Sequence, residues 1–397
     1  MKNSPFNLQE QQLTNEYLQY ADEMLAVRKN LLGYPANENS GMSGFYNWYI
    51  QSGLADSLMN NAGDCYAPSH FDLSSYRYEC KVIDYFADLL QFAEDYWGLI
   101  GTGGTDGNNH GVYFGKKILW ERTGELPIVY TSAEAHYSNM RLADLQGLQV
   151  KRIPADAEGR MDVASFAKAL APNKPALVIY AIGTTFKGAM DDVAALEEII
   201  RQKSVKNIYR HFDAALFGGY LPFTRCKDLV SQKLWHYDSL AISGHKFFGI
   251  DEPCCVFVCR KEVFDAQQNS NIPYLESSMP MISCSRSALT PLKMYWLLKT
   301  KGWYYYARLA LVCIKNAEYL HKELLKLKWP AWRNNASNIV YFKRPAEEIM
   351  HKYSLAKDCD KRLGGNLAHI VVMPHVKQPL LERFLKDLAK EIVGQER

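Results

Sequence analysis

Several features of membrane, secreted and nucleic-acid-binding proteins are missing from this sequence. It has no uninterrupted apolar run near the roughly 18 residues of a membrane-spanning helix, and no basic-apolar-small signal peptide at its start. It also lacks a dense run of Lys and Arg, and its formal net charge is only +3. Because nucleic acids and membrane surfaces attract concentrated positive charge, we expect neither as a partner. These absences predict a soluble, cytoplasmic protein.

Cysteine pairs at metal-binding spacing are absent too. The 9 cysteines are scattered, and none forms a C-x-x-C pair. Three of them lie in the apolar run CCVFVC at 254–259, which is typical of a buried strand where Cys behaves as a small hydrophobe. We therefore expect neither a disulfide framework nor a bound metal.

What the sequence does contain is the composition of a packed globular protein. Hydrophobic residues make up 48% of the 397 positions, aromatic residues 13% and charged residues 22%. This content of aromatic residues argues against disorder. A chain of this length can bury one large core and a smaller one.

Apolar runs alternate with helical patterns through the middle of the chain, which predicts an α/β fold with a mainly parallel sheet covered on both faces. The predicted strands are 126–132, 149–154, 176–183, 206–214, 237–243 and 254–260, and the helices between them include 133–147, 162–171 and 191–203. A helix is predicted at 8–32, followed by a Gly/Asn/Ser-rich arm, and another helix at 78–92. A long helical run at 287–328, short strands at 338–345 and 367–374 and a final helix at 378–393 predict a separate α+β domain. The resulting division is 1–65, 66–290 and 291–397.

Four polar motifs lie at the predicted strand ends, where open parallel sheets bind ligands. The glycine-rich turn GTGGTDGNNHG at 101–111 precedes a helix and fits either a phosphate site or a structural turn. His136 alone would be a capping or core residue, and Asp213 could equally be an N-cap. Lys246, in the sequence SGHK, would ordinarily point to solvent.

Taken together, the four motifs favour one cofactor. Pyridoxal 5'-phosphate needs a lysine for its aldehyde, a carboxylate for its ring nitrogen, a flat group over the ring and a cradle for its phosphate. The chain carries all four in the order phosphate loop, His136, Asp213 and Lys246. The last two are separated by about one strand-helix-strand unit. Pyridoxal 5'-phosphate is therefore the leading cofactor hypothesis.

The motifs also carry a family resemblance. GGTDGN (103–108), AHYS (135–138), IGTTFKGAMDD (182–192), HFDAALFGGYLPF (211–223) and SGHK (243–246) resemble the group II pyridoxal-phosphate decarboxylases, in the branch of bacterial histidine decarboxylase and plant serine decarboxylase. The likeness runs from about 33 to 296 and more thinly beyond. It implies a type I aminotransferase-like fold with a seven-stranded sheet. It also implies a homodimer with active sites at the subunit interface, and decarboxylation of an L-amino acid, with histidine leading.

The resemblance implies roles for particular residues. Lys246 would bind the cofactor covalently, Asp213 would pair with the ring nitrogen, and His136 and Ala215 would cover the two faces of the ring. Thr184 would lie near the ring, and the phosphate cradle would comprise Gly104, Thr105, Ser243 and His245, with Ser239 as a weaker candidate. The candidates for the substrate side are Tyr34, Tyr274, Ser285 and Arg286. Tyr274 and His136 are both candidates for the acid that protonates Cα.

Three segments depart from the branch. Asp106 replaces the usual Glu of the glycine loop, GIDEPCC (249–255) replaces a more neutral stretch, and Ser287, Ala288 and Leu289 replace Asn, Gly and His. The last change removes polar groups, which would weaken recognition of an imidazole. Serine or a modified amino acid therefore remains an alternative substrate. The same fold could also catalyse oxidative deamination, transamination or elimination, or the chain could be an inactive binding subunit, which the intact Lys246, Asp213 and His136 disfavour.

Overall fold

The computed structural model describes residues 8–67, 71–93, 95–267, 271–272, 277–279 and 281–395. Its helices, numbered along the chain, are α1 (Leu8–Arg28), α2 (Ser43–Gln51), α3 (Tyr76–Leu89), α4 (Gly104–Thr123), α5 (Ser138–Leu145), α6 (Val163–Ala169), α7 (Val193–Gln202), α8 (Phe217–Tyr220), α9 (Gln232–Trp235), α10 (Lys261–Asp265), α11 (Leu289–Lys326), α12 (Glu347–Lys352) and α13 (Gln378–Gln395).

The strands are numbered in the same way. They are β1 (Asn60–Ala62), β2 (Tyr96–Gly101), β3 (Ile128–Ser132), β4 (Val150–Ile153), β5 (Ala176–Ala181), β6 (Ile208–Asp213), β7 (Ser239–Ser243), β8 (Cys255–Arg260), β9 (Asn271–Ile272), β10 (Ser277–Ser278), β11 (Ser285–Ser287), β12 (Ala331–Trp332), β13 (Ile339–Lys343), β14 (Ala356–Asp360) and β15 (Gly365–Val371). All six strands predicted in the middle of the chain are present, each shortened by one to three residues.

A seven-stranded sheet forms the large domain, in the order β2-β8-β7-β6-β5-β3-β4. The strands pair in parallel from β7 to β4, and β8 runs antiparallel to both of its neighbours. Every residue of β5 and β7 is buried, as expected for central strands covered by helices on both faces. The carboxyl ends of β5, β6 and β7 therefore share one edge of the sheet.

Helix α4 lies very close to this sheet because glycines face it. A Cβ atom at Gly107 would lie 2.8 Å from that of Ala241 on β7, and one at Gly111 would overlap the imidazole of His211 on β6. The spacing of four residues keeps both glycines on one face of the helix. This close approach carries the first turn of α4 to the carboxyl edge of the sheet.

The smaller domain is built on a four-stranded antiparallel sheet, in the order β12-β13-β15-β14. Helix α11 leads into it and bends at Gly302, where φ is 72°. The buried side chain of Lys187, from the large domain, forms ion pairs with Asp360 at the end of β14 (2.6 Å) and with Glu134 (3.1 Å). Charges that are removed from water must be paired in this way, so the cluster ties the two domains together.

The N-terminal arm packs on both domains. Leu32 donates to the carbonyl of Tyr353 and accepts from Val371, and Phe45 on α2 is buried against Trp296 on α11. Helix α1, in contrast, leaves its large apolar side chains exposed, among them Leu13, Tyr17, Leu18, Tyr20, Met24, Leu25 and Val27. Within the described part of the chain, none of the helices is both long and apolar enough to span a membrane.

Candidate active site

A cavity of about 940 Å³ opens at the carboxyl edge of the large sheet, between the two domains. Ten of the residues predicted for the site line it, namely Tyr34, Gly104, Thr105, His136, Thr184, Asp213, Ala215, Ser243, His245 and Lys246. They come from six separate segments of the chain. The fold therefore brings together side chains that the sequence places up to 212 residues apart.

Lys246 follows β7 in a tight turn. Gly244 makes this turn possible, since a Cβ atom there would lie 2.7 Å from Cys254 Sγ. The next two residues, Phe247 and Phe248, are buried in the core and anchor the turn. Burial lowers the pKa of the Lys246 amine, and the negative charge of Asp213 offsets this only in part. The amine is thus biased towards its neutral, nucleophilic form.

Asp213 ends β6 with its side chain buried. Its Oδ2 accepts a hydrogen bond from Asn139 Nδ2 at 3.0 Å. No ion pair to this carboxylate forms among the described residues. The N-cap interpretation fails, because helix α8 begins only at Phe217 and is capped without a side-chain bond. Burying a carboxylate without an ion pair raises the free energy of the folded state. Asp213 would therefore be stabilised by a positively charged group bound in the cavity.

His136 lies in a turn between β3 and α5, where the sequence predicts the first turn of a helix. Ser132 Oγ accepts from the backbone of Glu134 (3.2 Å), which keeps this segment out of the helix. The His136 Nδ1 accepts from the backbone of Ser138 and contacts its hydroxyl at 2.7 Å, which assigns the proton of the neutral ring to Nε2. Burial lowers the pKa of His136, which favours this neutral ring.

The first turn of α4 forms the opposite end of the cavity. Gly104 begins the helix directly over Ser243 and Ala215: an added Cβ atom would lie 2.6 Å from Ser243 Oγ and 3.6 Å from the Ala215 methyl. Helix N-termini present unpaired amides and a positive dipole, which suit a phosphate. Ser243 adds a buried hydroxyl to this cradle.

The remaining lining residues are held by the backbone. Thr184 Oγ1 accepts from the amide of Ala189 (2.9 Å), and His245 Nδ1 lies 3.1 Å from the amide nitrogen of Cys254. Burial lowers the pKa of His245. Tyr34 reaches the cavity from the N-terminal arm and stays 55% exposed.

Three of the predicted residues do not line the cavity. Ser239, the first residue of β7, is buried, and its hydroxyl bonds to Tyr209 and His211. Ser285 lies on β11 and accepts from Asn60. Arg286 is buried, donates to both oxygens of Glu79 at 3.0 and 3.1 Å and to the carbonyl of Gly63, and so forms a structural ion pair. Tyr274 lies outside the described residues.

Two departures from the family pattern are explained by local pairing. The acidic residues of GIDEPCC are matched by Lys293, whose Nζ lies 2.9 Å from Asp251 and 3.2 Å from Glu252. In the glycine loop, burial alone would raise the pKa of Asp106, but hydrogen bonds and the charge of His110, with further bonds from Thr102 and Ser283, lower it to about 2. Asp106 therefore braces the turn that precedes α4.

Sequence reasoning did not identify several residues of the site. Phe186, Asp358 and His369 line the side of the cavity nearest the smaller domain, and the ring of His369 stacks on that of Phe186 at 4.5 Å. Asn139 contacts Asp213 from α5. Of these residues, only Asn139 could have been predicted from the sequence, because it lies about one helical turn after His136.

The residues present fit pyridoxal 5'-phosphate. The cavity offers an amine of lowered pKa, a buried carboxylate that forms no ion pair within the described ranges, and a helix that begins with a glycine, Gly104. These groups match the aldehyde, the ring nitrogen and the phosphate respectively. No cluster of three or more metal-ligating side chains occurs in the described ranges.

Comparisons with known proteins agree with this chemistry. The family model for the pyridoxal-dependent decarboxylase conserved domain matches residues 116–330. Serine decarboxylase 3 of Oryza sativa subsp. japonica is 35% identical over 341 residues, which cover 85% of this chain and 74% of the rice protein. Histidine decarboxylase of Solanum lycopersicum is 33% identical over 392 residues, or 96% of this chain and 89% of the tomato protein.

The solved structure of L-methionine decarboxylase from Streptomyces sp. 590 is similar with a TM-score of 0.82 at 21% sequence identity, and the match covers 95% of both chains. This likeness confirms the predicted type I fold. With the family match and the two relatives, it also confirms the predicted cofactor and the class of enzyme. The chain belongs to the pyridoxal-dependent decarboxylases, carboxy-lyases that act on amino acids with bound pyridoxal 5'-phosphate.

Proposed function

We propose that this chain releases CO2 from an L-amino acid with a polar side chain, with histidine as the leading substrate and serine as the second. Lys246, Asp213 and His136 form the catalytic set. The observation that carries this proposal is that the Lys246 amine and the buried carboxylate of Asp213, which forms no ion pair among the described residues, open into the same cavity.

Pyridoxal 5'-phosphate, when bound, supplies an aldehyde for the amino group and a ring that accepts the electron pair left by CO2. Lys246 would hold the cofactor, and the lowered pKa of its amine favours proton transfer at Nζ. Asp213 holds a proton on the ring nitrogen through its carboxylate. The first turn of α4, Ser243 and His245 bind the phosphate.

His136 has a second role besides covering the ring. Because Nδ1 is held by Ser138, the Nε2–H is free to face the cavity. Proton donation by a positioned side chain completes such reactions, and we propose His136 Nε2 as the donor to Cα.

The substrate side chain would lie between the domains, among Tyr34, Phe186, Asp358 and His369. Asp358 accepts only from the adjacent amide of Cys359 within the described structure, so its carboxylate could accept from an imidazole or a hydroxyl. Of the replaced residues, Ser287 lines only a separate cavity of about 120 Å³, and neither Ala288 nor Leu289 lines the main cavity. In a single chain, the replacement of Asn, Gly and His therefore removes no polar group from the main cavity. This supports histidine as the substrate.

We also propose that the active unit is a homodimer. Helix α1 leaves seven large apolar side chains exposed, and α2 adds Trp48 and Ile50. Soluble monomers rarely leave so much apolar surface in contact with water. The arm between these two helices carries Tyr34 into the cavity.

A panel of amino acids tests the reaction and the substrate together. Purified holoenzyme would be incubated with L-histidine, L-serine, L-methionine and modified amino acids, with separate measurement of CO2, amine, ammonia and oxygen uptake. We expect equal amounts of amine and CO2, with histidine turned over fastest. Ammonia with oxygen uptake would indicate oxidative deamination, and turnover without CO2 would contradict decarboxylation.

A further inference from the structure

A chain of buried side chains is linked to Asp213 by hydrogen bonds. Asn139 Nδ2 lies 3.0 Å from Asp213 Oδ2, and Asn108 Nδ2 lies 3.2 Å from Asn139 Oδ1. His211 then bridges Asn108 Oδ1 (3.0 Å, from Nε2) and Ser239 Oγ (2.8 Å, from Nδ1), and the Tyr209 hydroxyl ends the chain 2.8 Å from Ser239 Oγ. All six side chains are buried. The proposed chemistry uses only the first of them.

The charge of Asp213 determines the direction of every bond in this chain. An ionised carboxylate only accepts, so Asn139 must donate through Nδ2 and accept at Oδ1. Asn108 then donates to Asn139 and must accept from His211 Nε2–H. The other nitrogen of His211 accepts from Ser239, and Ser239 accepts from Tyr209. Five donors thus point towards Asp213.

The opposite arrangement would turn both amides over and move the proton of His211 to Nδ1. It would set the Asn139 carbonyl oxygen against Asp213 Oδ2, so two acceptors would meet. Such a reversal requires two buried amide rotations at once. Neighbouring hydrogen bonds of one direction polarise each other, which strengthens the arrangement that serves the anion.

The chain works only if His211 is neutral, because an imidazolium would donate from both nitrogens. Burial lowers the pKa of His211 to about 4, although the charge of Asp213 and a hydrogen bond with the backbone of Ser239 act in the opposite direction. The ring is therefore neutral at physiological pH and keeps one donor and one acceptor.

We propose that Asn139, Asn108, His211 and Ser239 are positioning residues that hold Asp213 Oδ2 and orient the carboxylate towards the cavity. Asp213 Oδ1 receives no hydrogen bond from the described residues, and this leaves it for the ring nitrogen of the cofactor. The inference rests on the role proposed for Asp213. It adds four residues, of which only Asn108 lines the cavity.

The tautomer of His211 reports the direction of the chain without any assay of activity. Holoenzyme labelled with ¹⁵N-histidine would be studied by long-range ¹H–¹⁵N correlation between pH 6 and 9, and the His211→Asn variant would assign the signals among the 10 histidines. We expect neutral His211 with its proton on Nε2 throughout this range. A proton on Nδ1, or a doubly protonated ring at pH 7, would overturn the proposal.

Variants test the effect on the cofactor. Ser239→Ala removes one hydroxyl and Asn139→Leu removes the direct donor, and the affinity of the apoenzyme for pyridoxal 5'-phosphate would be titrated for each. We expect affinity to fall about threefold for Ser239→Ala and about tenfold for Asn139→Leu, since one net hydrogen bond is lost at a distance or directly. Tyr237→Phe is the matched control, because it removes a buried hydroxyl that donates to the Val230 carbonyl outside the chain.

The outcomes separate this inference from the proposed function. If Asp213→Asn abolishes turnover while Ser239→Ala and Asn139→Leu bind cofactor as tightly as Tyr237→Phe does, the positioning role is wrong and the role of Asp213 stands. If Asp213→Asn retains full turnover, the proposed role of Asp213 is itself wrong. Should Asn139→Leu fail to fold, the single-oxygen change in Ser239→Ala together with the tautomer decides.

Discussion

A Cβ atom at Gly104 would lie 2.6 Å from Ser243 Oγ, so the first residue of α4 leaves space only for hydrogen. Gly104→Ala should therefore displace the Ser243 hydroxyl from the phosphate cradle. We expect a loss of cofactor affinity of about tenfold with little change in melting temperature, because the serine can rotate while the helix remains. Titration of the apoenzyme with cofactor measures this.

Gly44→Ala provides the control for that substitution. Gly44 also lies in the first turn of a helix, α2, and a Cβ atom there would make only an ordinary contact of 3.6 Å with Trp296. Unchanged affinity in both variants would show that the phosphate binds elsewhere.

Asp213→Asn separates an electronic role from a structural one. The amide keeps the shape and one acceptor for Asn139 but loses the charge that stabilises a protonated ring nitrogen. We expect turnover to fall by roughly two orders of magnitude or more while the fold is kept, since an electrostatic contact with the reacting group is lost. Kinetics and thermal melting of the same preparations test this.

A second buried aspartate serves as the comparison. Asp191 accepts from the amides of Met161 (2.7 Å) and Ala181 (2.8 Å) and does not line the cavity. Asp191→Asn should lower the melting temperature and leave turnover per folded molecule within about twofold. Equal losses of turnover in the two variants would contradict a special role for Asp213.

Arg286 should matter for stability and not for substrate binding. Arg286→Met leaves the buried carboxylate of Glu79 without its cation, and breaking such a pair typically costs about 3–5 kcal/mol. We expect a loss of unfolding free energy of that size with an unchanged KM. A rise in KM in a variant of wild-type stability would restore the substrate role implied by the family resemblance.

The lowered pKa of His211 predicts a pH dependence of stability. Between about pH 4 and the unfolded value near 6.5, the unfolded state binds a proton that the native state does not, so stability rises with pH. The contribution is complete above pH 6.5 and is lost as the pH falls towards 4. Between pH 7 and 5 we expect wild type to lose about 2 kcal/mol more unfolding free energy than His211→Asn does. If the unfolding free energies of wild type and His211→Asn changed equally with pH, the pKa of His211 would not be lowered in the folded state.

Much of the large domain could be predicted from the sequence, because parallel central strands are continuous apolar runs. The exception is β2, whose short run YWGLIG merges into the glycine loop and gives no separate signal. The direction of β8 was also not predictable, since a buried strand has the same composition in either direction. The exposed strand β14 carries polar residues on both faces and was missed for that reason.

The candidate site divides in a similar way. Asp213 ends a strand, Lys246 follows one, and Gly104 begins a helix. Their meeting at one edge follows from the topology of the sheet. Arg286 and Ser239 show the limit of residue-by-residue transfer: their side chains bond to Glu79 and His211, which lie more than 25 residues away in the sequence. Asp358 and His369 could not be identified because their position depends on how the two domains pack.

Covalent attachment of the cofactor tests the central claim most directly. Purified holoenzyme would be reduced with borohydride, digested and mapped by mass spectrometry, with Lys187 as the internal comparison because its buried amine is already paired with Asp360 and Glu134. We predict one pyridoxyl group per chain on Lys246, and none in the Lys246→Ala variant. Stable labelling of another lysine, or a colourless protein that gains no visible absorbance with added cofactor, would contradict the account.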